Sequence, residues 1–219
     1  MARRDFAKRA IGAVYSKAAD TLYEPLVVRT AFPLFGGDLN EVVLEQGRSA
    51  VASSGTAPIL DMPVGTAYFT IAMAAARDAL VVGVDIAEGM VRRAMRAGRD
   101  ANTDNLVAVR ADAHRLPFAD SSFGAILCTN GLQVIPGLEE TVAELARVLA
   151  PQKTLYVSVV MLPVGALLPA RASRRLPTML KSRREIAACL ERAGLTVTST
   201  RTQRLALLIE AVKPPDAGL

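Results

Sequence analysis

The chain has 219 residues, of which 51% are hydrophobic and 21% are charged. This length and balance predict one globular α/β domain with a full core and argue against a disordered chain. The net charge of +5 permits an anionic partner, and a single histidine argues against a His-based metal centre. Cys128 and Cys189 lie far apart and outside any CxxC pair, which predicts reduced thiols in a cytoplasmic protein.

Other features argue against several kinds of partner and location. The basic residues of Met1–Ala10 are not followed by an apolar segment, so no signal peptide is expected. No uninterrupted apolar run reaches membrane-spanning length. Aromatic residues make up 5% of the chain, tryptophan is absent and no known nucleic-acid motif occurs, so no nucleic-acid partner is expected.

Residues 1–53 are predicted to form a helical cap on the main domain. Apolar anchors, among them Tyr15 and Tyr23, recur through this region. Pro33 and the glycines after it separate the first part from a second helix at Asn40–Ser53. The segment is too short for a core of its own, so we expect it to pack on the rest of the chain.

The stretch Ala57–Phe69 predicts a strand, a tight turn and a helix. A short apolar run ends at Asp61, and the turn contains Pro63 and Gly65 before a helix-forming run at Ala67–Arg77. In α/β sheets, such a unit presents the carboxyl end of its strand to a nucleotide-like ligand. On these residues alone, an ordinary strand–helix turn that binds no ligand remains an alternative interpretation.

The remaining elements alternate between strands and helices. Helices are predicted at Glu88–Asp100, from Leu138 to Leu149 with Pro151 closing it, and at Ser182–Ala193 with Gly194 as its C-cap. Further strands are predicted at Leu80–Asp85, Leu106–Val109, Ala125–Cys128, Leu155–Met161, Leu195–Thr200 and Leu205–Val212. Together they predict a Rossmann-like, doubly wound, mostly parallel seven-stranded sheet with helices on both faces. We expect a single domain, with a cap at 1–53, a core at 54–161, a lid at 162–184 and a C-terminal part at 185–219.

Three predicted strands are followed by an acid: Asp61, Asp85 and Asp112. Because the carboxyl ends of parallel strands share one edge, these carboxylates are expected to converge on one crevice. Such a crevice suits a ligand with a ribose diol, an amino group and a cationic centre. A nicotinamide dinucleotide is the first rival, but it favours G-x-G-x-x-G, whereas the turn here has one glycine and begins with an acid that repels phosphate.

At this point the chain resembles a known family. Leu60–Thr66 is similar to motif I of class I S-adenosylmethionine (SAM)-dependent methyltransferases, and Gly83–Asp85 to their second motif. Ala111–Phe123 and Glu144–Pro151 resemble the adenine-binding stretch and following helix of the type 11 branch, which contains ubiquinone/menaquinone methyltransferases. The resemblance implies a SAM-dependent methyltransferase that produces S-adenosyl-L-homocysteine (SAH).

The resemblance also implies roles for individual residues. The methionine end of the cofactor would lie beside Asp61 and Gly65, with Pro63 in the same turn, and the transferred methyl near Asn130. The ribose and adenine would meet the remaining matched positions, which are Asp85, Ile86, Asp112 and Ala113. Tyr15 and Tyr23 either close over the cofactor or are aromatic residues of the cap core.

Three positions depart from the family pattern. Pro63 and Ala67 replace glycines that are usual in motif I, and Gly124 replaces the acid that usually follows Phe123. Both motif I changes are expected to narrow the pocket or weaken cofactor binding, because proline removes an N–H and alanine adds a methyl.

The sequence identifies no general base. His114 is a candidate base or a residue at the adenine rim, and Gln133 either orients a polar acceptor or packs at the surface. The segment 162–184 is apolar at its start and basic at 171–184. It is interpreted as a lid over a lipophilic substrate, a patch that docks on an anionic membrane, or a solvated surface. The predicted function is methyl transfer to a small, lipophilic molecule; a nucleic-acid or protein methyltransferase and a SAM-binding protein without catalysis are the alternatives.

Overall fold

The computed structural model describes residues 39–161, 181–203 and 205–216. Most of the predicted cap, with Tyr15 and Tyr23, and most of the predicted lid lie outside these ranges. The helices are α1 (Leu39–Ser54), α2 (Thr70–Ala75), α3 (Glu88–Asp100), α4 (Leu138–Val148) and α5 (Arg183–Arg192). The strands are β1 (Ile59–Asp61), β2 (Val81–Asp85), β3 (Leu106–Arg110), β4 (Phe123–Thr129), β5 (Leu149–Val160), β6 (Thr196–Gln203) and β7 (Ala206–Val212).

The strands form one seven-stranded sheet in the order β3-β2-β1-β4-β5-β7-β6. Strands β1 to β5 pair in parallel, while β7 is antiparallel to both β5 and β6. Strands β1 and β2 are buried along their whole length, as expected for strands covered on both faces. The predicted Rossmann-like α/β fold is confirmed.

Helices cover both faces of the sheet. Ala50 of α1 and Met73 of α2 pack on one face, and Ala94 of α3 joins a neighbouring cluster there. Leu145 of α4 and Leu190 of α5 belong to the large cluster on the opposite face. The order of the strands reverses between β1 and β4, which lie side by side near the centre of the sheet, and ligands of such sheets bind at this point.

Several predicted boundaries differ from the observed ones, and two of these differences have a clear physical reason. Helix α2 begins at Thr70 rather than Ala67, because Ala67 has a φ of 63° that an α-helix cannot contain. Strand β5 begins at Leu149 rather than Leu155, so Leu149 is not on the α4 helix. Pro151 disfavours helical dihedrals for the residue before it, which ends the helix earlier than its apolar spacing indicates.

The start of α5 follows the sequence closely. The Ser182 side chain accepts a hydrogen bond from the Glu185 backbone N–H, and the Glu185 carboxylate accepts one from the Ser182 N–H. This reciprocal pair satisfies two N–H groups that the first turn leaves free. In the described ranges, no helix has both the length and the apolar character needed to cross a membrane.

Candidate functional site

One cavity lies at the carboxyl ends of the central strands. Ten of the predicted site residues line it: Asp61, Pro63, Gly65, Asp85, Ile86, Asp112, Ala113, His114, Asn130 and Gln133. They come from four different segments, at or just after the carboxyl ends of β1, β2, β3 and β4. The topology therefore brings the predicted residues to one place, and their roles in binding stay predictions.

Asp61 ends β1 and is only 3% exposed. The Thr70 hydroxyl at the start of α2 donates to its Oδ2 over 2.5 Å. The pKa of Asp61 is raised to about 7, mainly by burial; the Thr70 hydrogen bond lowers it, and the nearby Asp85 raises it by a smaller amount. This carboxylate is thus held in a position where a cationic ligand would favour its ionised form.

Asp85 ends β2 and joins the turns that follow β1 and β2. Its Oδ2 accepts from the Gly65 N–H over 3.1 Å, and its Oδ1 accepts from the Ala87 N–H over 2.9 Å. Burial raises the pKa of Asp85, while these backbone donors oppose that shift. Each carboxylate oxygen keeps a second lone pair, so the side chain can still accept from a ligand hydroxyl.

Asp112 lies two residues beyond the end of β3 rather than directly at it. Its Oδ1 accepts from the His114 N–H over 3.0 Å, and 38% of the side chain is exposed. An exposed carboxylate in a short turn can reach a group at the rim of the cavity. Asp112 therefore lies in the predicted crevice, although β3 ends two residues before it.

The two candidate bases are both engaged by the backbone. His114 Nε2 lies 2.6 Å from the Pro136 carbonyl oxygen, which ties the loop after β3 to the turn after β4. Gln133 Oε1 accepts from the Val160 N–H over 2.6 Å at the end of β5. These contacts give each side chain a structural task, so neither contact by itself supports a role in proton removal.

The substituted family positions have structural explanations. Ala67 is fully buried in a cluster with Val64 and Val81 and does not line the cavity, so the expectation that its methyl narrows the pocket is wrong. Pro63 does line the cavity, and its ring lies so close to Gly131 that a Cβ there would overlap it. A Cβ at Gly124 would come within 2.7 Å of the Ser54 carbonyl oxygen, so α1 leaves no room for an acid.

Sequence reasoning missed part of the cavity wall. Tyr68 and Phe69 follow the β1 turn, with their rings in an edge-to-face arrangement at a centroid distance of 5.0 Å. A second apolar stretch, Val134–Pro136, follows β4. Both stretches lie close in the chain to predicted site residues, and this proximity was the sequence feature that could have identified them. Their apolar side chains give the cavity a wall that suits a lipophilic group.

The comparisons with known proteins agree with this geometry. Residues 59–152 match a family described as a methyltransferase domain. Over these residues the chain contains a methyltransferase domain. The predicted family resemblance is therefore confirmed, and this family uses SAM as its methyl donor.

Two curated relatives are named methyltransferases. A demethylmenaquinone methyltransferase of Corynebacterium glutamicum is 32% identical over 157 residues, covering 67% of this chain and 65% of its own length. A 27-O-demethylrifamycin SV methyltransferase of Amycolatopsis mediterranei is 34% identical over 118 residues, covering 53% of this chain and 43% of its own. The chain thus spans less than two thirds of the length of either relative.

The fold also has solved neighbours. The structure of the 4+2 cyclase SpnF matches with a TM-score of 0.71 and 17% identity, over 80% of this chain and 82% of that protein. At this identity the likeness concerns the fold alone. Because this neighbour is named a cyclase, the chemistry of the methyltransferase domain has to be argued from its site.

Proposed function

We propose that the protein is a SAM-dependent methyltransferase that acts on a small, lipophilic molecule. The observation that carries the proposal is the convergence of Asp61, Asp85 and Asp112 on one cavity beside an apolar wall. Carboxylates accept hydrogen bonds from amino and hydroxyl groups and attract a cation, which matches the polar groups of SAM. No lysine or arginine occurs among the described lining residues to neutralise a pyrophosphate.

Each carboxylate has a distinct part in holding the cofactor. Asp61 and Gly65 face the methionine end, Asp85 accepts from the ribose hydroxyls with Ile86 against the adenine, and Asp112 accepts from the adenine amino group. The Gly65 N–H is already fixed by Asp85, so the first two turns form one unit before the ligand arrives. A site that needs little rearrangement loses less entropy on binding.

Bound SAM supplies a methyl group on a sulfonium, whose leaving group needs no protonation. The protein's task is therefore to align the acceptor with that methyl and to exclude water. The apolar wall formed by Tyr68, Phe69 and Val134–Pro136 aligns a lipophilic acceptor and excludes water from it. The names of the two relatives, which refer to a menaquinone precursor and a rifamycin, support an acceptor of this kind.

Calorimetry with SAM and SAH tests the proposal, with NAD as the competing nucleotide. We expect micromolar binding of SAM and SAH and none of NAD, followed by labelled-methyl transfer in a screen of lipophilic phenols and quinols. The variant Asp85→Ala should lose at least about tenfold in SAM affinity, since a buried hydrogen-bonded carboxylate is removed. Asp104→Ala, at an exposed position outside the cavity, is the matched control. Equal SAM affinity in wild type and Asp85→Ala would refute the site.

A second candidate is a protein that binds SAM without transferring its methyl. The fold neighbour named a cyclase supports this alternative, because it shares the architecture. SAM binding without label transfer to any acceptor class would favour it.

We further propose a cytoplasmic location, which the two buried free cysteines support. Contact with a membrane through the basic segment is supported by the exposed Arg183 and Arg184, whereas Lys181 of the same segment is buried.

A further inference from the structure

Asn130 has a side chain without an internal partner. It follows β4, lines the cavity and has a φ of 52°, in the left-handed region. Both polar atoms of its carboxamide are buried, and neither has a hydrogen-bond partner among the described residues. Buried polar groups are almost always satisfied, so an unsatisfied pair at a cavity wall indicates a group that a ligand completes.

The turn that carries Asn130 is held in place on two sides. The Asn130 N–H donates to the Ser158 carbonyl oxygen over 2.8 Å, and the Val160 N–H donates to Gln133 Oε1. On the other side, Gly131 fits closely against the Pro63 ring. Because β5 and the β1 turn both fix the backbone, the left-handed conformation is maintained and Asn130 stays in the cavity wall.

The position of Asn130 differs from that of the carboxylates. Asp61 and Asp85 end β1 and β2, whereas Asn130 follows β4, across the point where the strand order reverses. Ionised carboxylates only accept hydrogen bonds, while a carboxamide also donates two. The apolar residues Val134 and Ile135 follow Asn130 in the same wall. An oxygen on an otherwise apolar molecule would find both a donor and an apolar surface here.

The geometry points to Asn130 as the residue that positions the methyl acceptor, by donating its carboxamide N–H to a hydroxyl, carbonyl or enolate oxygen of that molecule. This inference rests on the proposed function and defines its acceptor more closely. The acceptor is an apolar molecule with an oxygen at or beside the atom that receives the methyl. Asn130 is then a binding residue of the acceptor rather than of the cofactor.

Two probes that differ in one group test this assignment. 1-Naphthol and 1-methylnaphthalene have nearly the same shape, and only the first has an oxygen. Their fluorescence can be followed in the SAH-saturated protein, because the chain contains no tryptophan. We expect wild type to bind 1-naphthol about tenfold more tightly than 1-methylnaphthalene, and Asn130→Gly to bind the two about equally, as for loss of one buried hydrogen bond. SAH affinity should change less than about threefold in the variant.

Glycine is chosen because it adopts the left-handed backbone without strain. Asn102→Gly is the matched control, since Asn102 has a φ of 54° but is exposed and lies outside the cavity. It should leave probe selectivity and SAH affinity unchanged.

The outcomes separate this assignment from the proposed function. The assignment is overturned if the preference for 1-naphthol persists in Asn130→Gly or is missing in wild type. SAH binding in the same experiments would still support the proposed function. A large loss of SAH affinity with unchanged probe selectivity would place Asn130 in the cofactor site and also overturn it. No SAH binding by wild type would refute the proposed function and the acceptor site together.

Discussion

At the scale of single residues, Asp61 shows how the fold changes the chemistry of a side chain. The carboxyl has a pKa of about 7 in the folded protein instead of its ordinary 3.8, mainly because it is buried. Between these pH values the folded chain binds more protons than the unfolded chain, so the contribution of Asp61 to stability falls as the pH rises. A bound cationic ligand favours the ionised carboxylate and therefore lowers the pKa of Asp61.

This titration predicts a pH-dependent affinity for SAM. At about pH 6 most Asp61 side chains are protonated, so SAM should bind about tenfold more weakly than at about pH 8. Asp61→Asn should bind weakly at both values and show a flat profile. Calorimetry across this range is the measurement. A wild-type profile without slope, or an equally steep one in the variant, would contradict the assignment.

Gly65 gives a second prediction at this scale. Its φ is 54°, and a Cβ there would meet no atom within 4 Å, so Gly65→Ala introduces backbone strain of about 1 kcal/mol without a clash. We also expect weaker SAM binding, because the new methyl lies at the turn that approaches the ligand. Urea denaturation and calorimetry measure the two effects.

Gly55 provides the control for that substitution. It has a φ of 62°, a Cβ added to it would also meet no atom within 4 Å, and it lies outside the cavity. Gly55→Ala should lose the same stability and retain SAM affinity. If both alanine variants bound SAM equally well, Gly65 would have only a conformational role.

At the scale of elements, Arg147 on α4 holds the loop that carries Asp112. Its guanidinium donates to the carbonyl oxygens of Leu116 and Phe118 and to the carboxylates of Asp120 and Glu144. Glu144 in turn accepts from the Leu116 N–H, and its pKa is lowered, mainly by Arg147. The helix thereby fixes the position of the predicted adenine-binding loop, which has no helix of its own.

Removing this clamp should loosen the loop. Arg147→Ala leaves several buried or half-buried acceptors without their donor, so we expect a loss of about 1–3 kcal/mol in unfolding free energy and a weaker affinity for SAM. Hydrogen exchange at residues 111–120 should become faster. Arg192→Ala, which removes an exposed ion pair with Glu139 at 3.5 Å, should cost less than about 1 kcal/mol. Equal effects of the two substitutions would show that the clamp contributes little.

At the scale of the whole molecule, the cavity joins segments from both halves of the sheet. A ligand that bridges them binds the folded chain and not the unfolded one, so SAH at about one hundred times its dissociation constant should add about 2.7 kcal/mol of stability. For a chain of this size, that corresponds to a rise of about 5–10 °C in melting temperature. Differential scanning calorimetry with SAH, and with NAD as the control, measures it. A melting temperature unaffected by SAH would contradict binding at this cavity.

The parallel strands and the three acids that line the cavity were predictable from sequence. Apolar runs that end in Asp61 and Asp85, separated by helix-forming stretches, imply parallel strands with their acids on one edge. The type of each element was also clear, because its apolar spacing is a local property of the chain. Element ends were less predictable, as β5 shows, since they depend on which backbone groups find partners.

By itself, the sequence determined the fold class, the family and the set of acids at the sheet edge, because periodicity and short motifs express local preferences. Only the tertiary structure decided that Ala67 lies in the core, that Gly124 is packed against α1, and that Gln133 is bound to β5 while Asn130 is left without a partner among the described residues. These outcomes depend on contacts between residues far apart in the chain. Packing and hydrogen-bond satisfaction over such distances have no local sequence signature.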